Sequence, residues 1–396
     1  MKNFAKAFDS VNHDIILNKL KYQFHIDGKL LKFLVCYLKN RKQCVVIGGC
    51  KSDTKNVSSG VPQGSILGPL FFVLFINDMV ECMSEGTNIA LYADDTKIWR
   101  TISNWNDHLV LQQDIDSLFK WSILNKMVFH PHKCKVLSVS LQNTVSYLDL
   151  ILPFENFHYC LDKTQVDNTL LDFVNEEKDL GVIVTNRLTW GQQSSSLYSK
   201  ANSRLGLLKR VCHFVKCEKQ KRILYLAMVR SLFEHASPVW SPSSTQIEKL
   251  EKIQKRGIKW ILGEEGHSYN ELEYLKRLFD LKILPLKAKF AFTDLILFHK
   301  IFHGNTCIKL PDYLARVTDD DLHRLRTSRL DKLCLKCTIL PRVKVFSDSY
   351  FHRTYLQWNS LPTSVRGNLD PAVFESEMKE HLWSVLKLEN ENSDSD

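Results

Sequence analysis

Two adjacent carboxylates, Asp94 and Asp95, are the residues of this sequence best suited to chemistry. They follow Tyr92 and Ala93 and lie between two short apolar runs, as in a β-hairpin. Neighbouring side chains on a strand face opposite sides, but at a turn both can be held near one point. Carboxylates held together repel each other unless a cation lies between them, and hard oxygen ligands suit Mg²⁺. The pair therefore predicts either a metal site for phosphoryl transfer or a solvated turn.

Two further segments precede this pair. The nearer one, Ser59–Ser65 (SGVPQGS), contains glycines that let a backbone approach a ligand closely, and its Gln63 can support or read a base edge. A merely structural Gly/Pro turn is the alternative interpretation of this loop. The other segment, Phe4–Asp9 (FAKAFD), lies further upstream. Three such segments in this order are less easily explained by chance than the acidic pair alone.

The elements that must position these residues are predicted from apolar spacing and from turn residues. Helices are predicted over 12–24 with Asn12 as the cap, over 30–38, over 66–76 and over 107–124, and the region 194–289 is largely helical with a break at 237–244. Hairpins are predicted around Asp94-Asp95 and, from residues 44–47 and 55–58, around Gly48-Gly49. Helical and strand-like segments thus alternate over the first 140 residues.

Length and composition limit the class of protein. The 396 residues allow two or three domains, and 44% hydrophobic with 24% charged residues is an ordinary globular balance. The longest apolar stretch, Ile66–Ile76, is shorter than the about 20 residues of a membrane span, and residues 1–10 lack a signal-peptide core. The 11 cysteines are an odd number, which favours reduced thiols, and the pair Cys334 and Cys337 is interpreted as such rather than as a metal site. We therefore expect no membrane association and an intracellular protein, in nucleus or cytoplasm.

Positive charge is concentrated in one region. Lys+Arg number 53 and Asp+Glu 44, a net charge of +9, whereas residues 200–289 alone hold 19 basic and 9 acidic residues, a net of +10. Clustered positive charge favours a polyanion such as nucleic acid, because each neutralised phosphate releases counterions. A solvated helical face with interspersed charges is the alternative.

Because these segments occur in this order, the chain resembles the reverse transcriptase of non-LTR (LINE-type) retrotransposons, in the jockey-like group. The resemblance covers nearly the whole chain. The motifs that carry the resemblance are Phe4–Asp9 as motif A, Gly60–Ser65 as motif B, Tyr92–Asp95 as motif C, Asn125–Lys135 as motif D and Lys178–Trp190 as motif E, with similar downstream stretches at Leu232–Pro242 and Trp358–Val365. The resemblance implies an α/β fold class, with a right-hand polymerase palm, its fingers largely missing, followed by a helical thumb. It implies a palm over residues 1–190, a basic thumb over 191–290, and a C-terminal region of unknown role over 291–396 with a frayed acidic tail.

The resemblance also implies roles for single residues. The implied set is Asp94 and Asp95 as metal ligands, Phe8 as the residue that rejects ribonucleotides, Gln63 and Gly64 beside template and nucleotide, Lys133 as the lysine that helps pyrophosphate leave, and Leu180 and Gly181 as the primer grip. An intact member would use two Mg²⁺ ions to extend a DNA primer on an RNA template with dNTPs.

Three features depart from the family pattern. Asn3 stands where motif A carries an aspartate that binds both metal ions, and an amide lacks that negative charge. Asp9 is interpreted as a turn or cap residue that does not replace the lost ligand. Met1 falls within motif A, which predicts a chain whose fingers are largely missing, either because it is an N-terminally truncated copy of the element or because the sequence given starts at an internal Met. His130 replaces the usual Asn of motif D.

Three hypotheses follow. The chain is a crippled or inactive RNA-directed DNA polymerase, or a non-catalytic remnant that at most binds nucleic acid through residues 200–289. The third is a structural helical protein whose motifs arose by chance.

Overall fold

The structure is a computed structural model, and it describes residues 7–127, 129, 133–140, 171–240, 242–318 and 331–393. Asn3, Phe4 and His130, which the sequence singled out, lie outside the described residues. The chain divides into two compact units, Met1–Glu177 and Lys178–Asp396. The predicted division into domains at 190 and 290 stays a prediction.

Helices and strands alternate in the first unit, and helices dominate the second. The helices are α1 Ala7–Ser10, α2 His13–Tyr22, α3 Gly28–Leu38, α4 Leu67–Ile76, α5 Trp105–Leu124, α6 Gly191–Val211, α7 Glu218–Tyr225, α8 Ser231–Glu234, α9 Ser244–Leu262, α10 Glu271–Asp280, α11 Leu286–Phe302, α12 Lys344–Ser347, α13 Tyr350–Ser360, α14 Thr363–Arg366 and α15 Pro371–Ser393. The strands are β1 Lys42–Gln43, β2 Val46–Ile47, β3 Cys50–Lys51, β4 Lys55–Asn56, β5 Thr87–Tyr92, β6 Asp95–Arg100, β7 Lys135–Leu137, β8 Asp172–Val174, β9 Glu176–Asp179, β10 Val182–Thr185, β11 Leu314–Arg316 and β12 Leu335–Cys337.

The mixed helix and sheet of the first unit confirms the α/β class, and the four helices predicted there all form. Asn12 caps α2 as predicted, because its side-chain oxygen accepts hydrogen bonds from the backbone N–H groups of Asp14 and Ile15 at 3.1 Å. The apolar face of α2 packs against α3 and α4. Phe72 and Phe75 of α4 are fully buried in this core, and Ile89 and Ile98 of the β5–β6 hairpin pack against it.

One predicted hairpin was wrong in its pairing. The Gly48-Gly49 turn joins β2 to β3, so Val46 pairs with Lys51, and not with a residue of 55–58. A second pair, β1 with β4, lies outside this inner hairpin, with Lys42 opposite Asn56. The physical reason is that a two-residue turn with positive φ at both glycines closes a tight hairpin directly. Pairing 44–47 with 55–58 would have required a long loop.

A buried ion pair joins three elements of the first unit. The Lys19 ammonium donates to Asp78 Oδ1 at 2.8 Å and to the Phe75 carbonyl at 2.7 Å, and the Trp121 indole donates to the same Asp78 oxygen at 2.9 Å. The ammonium also lies 4.6 Å from the centre of the Phe75 ring. Burial lowers the pKa of Lys19 although the Asp78 carboxylate opposes that change. The carboxylate thus fixes α2 against α5 and the 3₁₀ turn Asn77–Cys82.

The second unit is built on two apolar clusters. In the first, α6 and α7 pack against α9, and Tyr225 lies against Gly257, where a side chain would overlap its ring. The helix continues from Tyr225 through a π-helical segment, Leu226–Arg230, into α8. Arg230 at its end is buried and donates to the Leu284 carbonyl at 2.9 Å. This arginine therefore links the bundle to the start of α11.

The second cluster surrounds α11, which packs against α13 and α15. Trp358 is fully buried there, and its indole donates to the Leu333 carbonyl at 2.9 Å. Arg366, also buried, donates to Asp331 at 2.6 Å and lies 3.0 Å from the Cys334 sulfur. Cys334 and Cys337 are free thiols at either end of β12. Over the described ranges, no helix is both long and apolar enough to span a membrane.

Candidate functional site

The two carboxylates lie at the tip of a regular hairpin, as predicted. Strands β5 and β6 pair over six residues, from Thr87 opposite Arg100 to Tyr92 opposite Asp95. Ala93 and Asp94 form the two-residue turn. Ala93 has a φ of 50°, a backbone angle that few residues other than glycine and asparagine favour. Asp94 therefore projects from the turn, whereas Asp95 belongs to the last pair of the ladder. The hairpin places two anions side by side, both half-buried.

Motif A and motif B form one junction. The Val61 N–H donates to the Phe8 carbonyl at 2.8 Å, and the Gly60 N–H donates to the Val11 carbonyl at 2.8 Å. The Gln63 amide donates to Asp9 Oδ1 at 3.0 Å. Two segments that are distant in sequence are thus held in a fixed mutual position by backbone and side-chain hydrogen bonds.

Gly60 is required at this junction for two reasons. Its φ is +90°, and a Cβ atom would lie 2.9 Å from both the Cα and the carbonyl oxygen of Asp9. The Ser59 hydroxyl donates to that same carbonyl at 3.0 Å. His13, at the start of α2, supports the loop from below, since its buried Nε2 lies 2.8 Å from the Gly60 carbonyl.

The remainder of the loop is folded against itself before α4 begins. The Ser65 hydroxyl donates to the Pro62 carbonyl at 2.7 Å and accepts from the Gly68 N–H at 3.0 Å. Gly64 has a φ of +83° with no atom within 4 Å of the position of a Cβ, so its requirement is conformational and not steric. Gln63 and Gly64 are exposed. The loop therefore presents a polar side chain and bare backbone at the surface.

Phe8 is positioned from α4. Its ring lies 4.6 Å from that of Phe72, at an interplanar angle of 31°, and it is half-buried. Because Phe72 is fully buried, the Phe8 ring has a fixed support on one side. Motif A therefore carries a supported ring and, at the next residue, the carboxylate that accepts from Gln63.

The remaining predicted site residues lie elsewhere along the chain. Lys133 is exposed just before β7. Leu180 and Gly181 form the turn between β9 and β10, with φ values of 44° and 92°. His235, at the end of α8, lies with Nε2 3.0 Å from the Leu180 carbonyl and would meet a Cβ at Gly181 at 3.0 Å. This turn is thus held by the helical region that follows it.

Metal ligands are incomplete among the described residues. That part of the chain holds no group of three His, Cys, Asp or Glu side chains arranged to bind a metal ion. Asp94 and Asp95 supply the hard oxygens that Mg²⁺ prefers, and Asn3 lies outside the described residues.

Two contributors to the junction were not predicted from the sequence. His13 has a detectable signal, because it precedes the buried Ile16, Leu17 and Leu20 at spacings of three, four and seven on one face of α2. The hydrogen bond between Asp9 and Gln63 has no such signal, since its partners are separated by a long stretch of chain. Asp9 is thus more than a turn residue.

Part of the chain is similar to known proteins. Residues 3–169 match the family described as reverse transcriptase (RNA-dependent DNA polymerase). The chain is 26% identical over 273 residues to the RNA-directed DNA polymerase from mobile element jockey of Drosophila funebris, a match that covers 66% of this chain and 28% of that protein. It is 24% identical over 272 residues to the probable RNA-directed DNA polymerase from transposon BS of Drosophila melanogaster, covering 65% and 28%.

A third relative matches over a shorter stretch of the chain. The retrovirus-related Pol polyprotein from type-1 retrotransposable element R2 of Popillia japonica is 26% identical over 145 residues, covering 35% of this chain and 24% of that protein. The chain thus matches 28% of the length of the jockey and BS relatives.

Proposed function

We propose that this chain, whose residues 3–169 are a reverse transcriptase segment of the non-LTR retrotransposon type, belongs to an RNA-directed DNA polymerase. Such an enzyme extends a DNA primer on an RNA template by nucleotidyl transfer from dNTPs. The observation that carries the proposal is the β5–β6 hairpin, which holds Asp94 and Asp95 at one turn, on a unit that also joins motif A to motif B.

The junction of motifs A and B supports a nucleotide site. Phe8, backed by Phe72, offers a rigid ring that would close on the sugar and reject a 2′-hydroxyl. Gln63 and Gly64 lie exposed on the adjoining loop, where an amide and bare backbone can approach the template and the incoming nucleotide. Phosphoryl transfer requires mainly positioning and charge stabilisation, which this arrangement would supply.

The metal ligands that the chain offers determine the expected rate of nucleotidyl transfer. Asp94 and Asp95 would hold Mg²⁺, and two bound ions would stabilise the charge on the attacking and leaving oxygens. The third position carries the neutral amide of Asn3. A site that lacks one bridging anion should lose a factor of about 10²–10³ or more in rate, as for a lost transition-state contact. We therefore propose that the chain as given is crippled and that its fold is intact.

The helices of 191–290 would act as the thumb. Lys249, Lys252 and Arg256 are exposed on α9 at spacings of three and seven, so they form one positive stripe. Such a stripe would bind the phosphates of a primer–template duplex without reading its sequence. Leu180 and Gly181, held by His235, would serve as the primer grip. Lys133 would assist the departure of pyrophosphate.

The larger organisation belongs to the same proposal. A palm would occupy residues 1–190 and the thumb 191–290, while residues 291–396, built around α11, have no assigned role. The partners would be an RNA template, a DNA primer and dNTPs, in an intracellular setting.

Primer extension on an RNA template with dNTPs and Mg²⁺ tests the proposal. The full chain is compared with Asn3→Asp and with the double variant Asn3→Asp/Asp94→Ala. We expect Asn3→Asp to extend primers at least about a hundredfold faster than the given chain, and the double variant to be inactive. Equal extension by the given chain and by Asn3→Asp would show that Asn3 is not a lost ligand.

A second candidate function is favoured by Asn3 itself. A remnant without catalysis would bind nucleic acid through its basic helices alone. In that case neither Asn3→Asp nor the given chain extends a primer, although both fold, and duplex binding weakens steeply with salt and does not require Mg²⁺.

A further inference from the structure

The connection between α6 and α7 carries an exposed apolar surface. Four large apolar side chains lie there with solvent-exposed fractions of 43% for Leu207, 57% for Val211, 68% for Phe214 and 62% for Ile223. We call the connection 210–219, with these side chains, the α6–α7 edge. The Phe214 ring projects from it, and its one ring neighbour among the described residues is His213, at a centroid distance of 5.7 Å in an edge arrangement. The faces of the Phe214 ring are therefore available for stacking.

The basic residues around this edge fall into two sets. Lys209 pairs with Glu265 at 2.6 Å, Lys221 donates to the Trp260 carbonyl at 3.0 Å, and Arg222 donates to the Leu281 carbonyl at 2.7 Å. These three are engaged in holding the fold together.

The second set remains available to a ligand. Arg210, Lys216 and Lys219 are exposed, and the described contacts give them no side-chain ion pair. Glu218 is the single acidic residue between 209 and 222. The positive charge around Phe214 therefore faces solvent.

We propose that the α6–α7 edge binds single-stranded nucleic acid, with one base stacked on Phe214 and the adjacent phosphates on Arg210, Lys216 and Lys219. An exposed aromatic ring among unpaired cations is the combination with which proteins bind single strands without sequence preference. A duplex would satisfy the cations but would keep its base faces covered. The positive charge therefore favours a nucleic acid, and the exposed ring favours a strand whose bases are unpaired. This site goes beyond polymerisation and does not depend on Asp94, Asp95 or a metal ion.

The test measures binding of the full chain to a fluorescent dT oligonucleotide about twelve nucleotides long, with EDTA present and without dNTPs. Phe214→Ala should weaken binding by between about fivefold and a hundredfold, and Phe214→Leu should do nearly the same, since leucine keeps the apolar bulk and loses the stacking face. Phe214→Trp should bind at least as tightly as the original chain. The matched control is Phe173→Ala, because Phe173 is 44% exposed and follows the acidic Asp172 in the sequence.

The charged residues have a separate signature. Replacing Arg210, Lys216 and Lys219 by Gln should reduce the slope of log affinity against log salt by about 2, at about 0.7 for each phosphate on a single strand. Phe214→Ala should leave that slope unchanged. The proposal is overturned if Phe214→Leu binds like the original chain, or if Phe214→Ala weakens binding of a dT–dA duplex as much as binding of the single strand. Loss of binding to phosphatidylserine vesicles in Phe214→Ala, with dT binding unchanged, would assign the edge to a lipid surface instead. Because no extension is measured, failure here leaves the polymerase proposal untouched.

Discussion

The side-chain amide of Gln63 donates a hydrogen bond of 3.0 Å to the carboxylate of Asp9, across 54 positions of sequence. The two residues flank a backbone junction in which Val61 donates to Phe8 and Gly60 lies against Asp9. The residue that follows the supported Phe8 ring thus contacts the loop that would touch template and nucleotide. The effect on stability of replacing either residue should therefore depend on which side chain is present at the other.

A double-mutant cycle measures that coupling. Asp9→Ala, Gln63→Ala and the double variant should show a coupling of about 0.5–1.5 kcal/mol in the free energy of unfolding, because this is the usual net value of one hydrogen bond. Asp9→Asn, which keeps an acceptor oxygen, is the control and should lose less than Asp9→Ala. Strictly additive effects of the two alanine variants would show that the bond does not stabilise the junction.

Gly60→Ala should destabilise the first unit more than Gly49→Ala. Both glycines have a φ near +90°, but a Cβ at Gly60 meets the Asp9 backbone at 2.9 Å, whereas no atom lies within 4 Å of one at Gly49. The strained φ costs about 1–3 kcal/mol at either site, and overlap adds to it only at Gly60. Urea unfolding of the two variants gives the difference. Equal losses would mean that the Asp9 backbone moves aside freely.

Asp78→Ala should cost about 3–5 kcal/mol in the free energy of unfolding, because it leaves the Lys19 ammonium buried without its partner. Asp14→Ala is the matched control, since the Asp14–Lys39 pair has a similar length of 2.7 Å but is exposed. Removal of that exposed pair should cost much less, because solvent screens the attraction between its charges. Chemical denaturation measures both. A small loss in Asp78→Ala would show that Lys19 reaches water.

Gly257→Ala should loosen the packing of α7 on α9. A methyl group there overlaps the buried Tyr225 ring, and overpacking costs about 1–3 kcal/mol. Gly206→Ala, on α6, is the control, because the nearest atom to its Cβ is the end of the Arg210 side chain at 3.7 Å. That change should be neutral or stabilising by up to about 1 kcal/mol. The loss at Gly257 should shrink when Tyr225→Leu is added, and an unchanged loss would place the conflict elsewhere.

His299 of α11 and His303, the residue that follows this helix, should make the second unit sensitive to acid. Burial lowers the pKa of His299 and of His303, and the pKa of His303 is lowered further by His299, whose ring centre lies 4.5 Å away. Below the unfolded value of about 6.5, the unfolded chain therefore binds more protons than the folded chain. The free energy of unfolding should consequently fall as the pH falls from about 7 to about 5.

Replacing both histidines by Gln should flatten this dependence. Burial raises the pKa of Asp294 to about 6, so this residue acts in the opposite direction and limits the slope in the original chain. A profile that stays steep without His299 and His303 would assign the acid sensitivity to other groups.

Local patterns were sufficient to predict much of the first unit. The helix capped by Asn12, the apolar α4 and the hairpin around Asp94 each follow from spacing and turn residues over fewer than twenty positions. The nested pairing of β1 with β4 was missed because short polar strands carry little hydrophobic pattern to fix their register.

Contacts between distant segments were beyond sequence reasoning. Nothing near Asp9 indicates that its carboxylate accepts from Gln63, and nothing near Gly60 indicates that His13 supports its carbonyl. Such contacts depend on how whole elements pack. The π-helical segment Leu226–Arg230 was likewise not predictable, since its sequence, LAMVR, has ordinary helical preferences.

The β5–β6 hairpin holds its two carboxylates in different ways. Asp95 is held in the last pair of the ladder opposite Tyr92, whereas Asp94 belongs to the turn beyond that pair. A residue in the turn has fewer backbone hydrogen bonds to break than a residue paired within the ladder. Thermal fluctuation should therefore displace the Asp94 carboxylate while Asp95 keeps its register, so one of the two anions is stiff and the other is compliant.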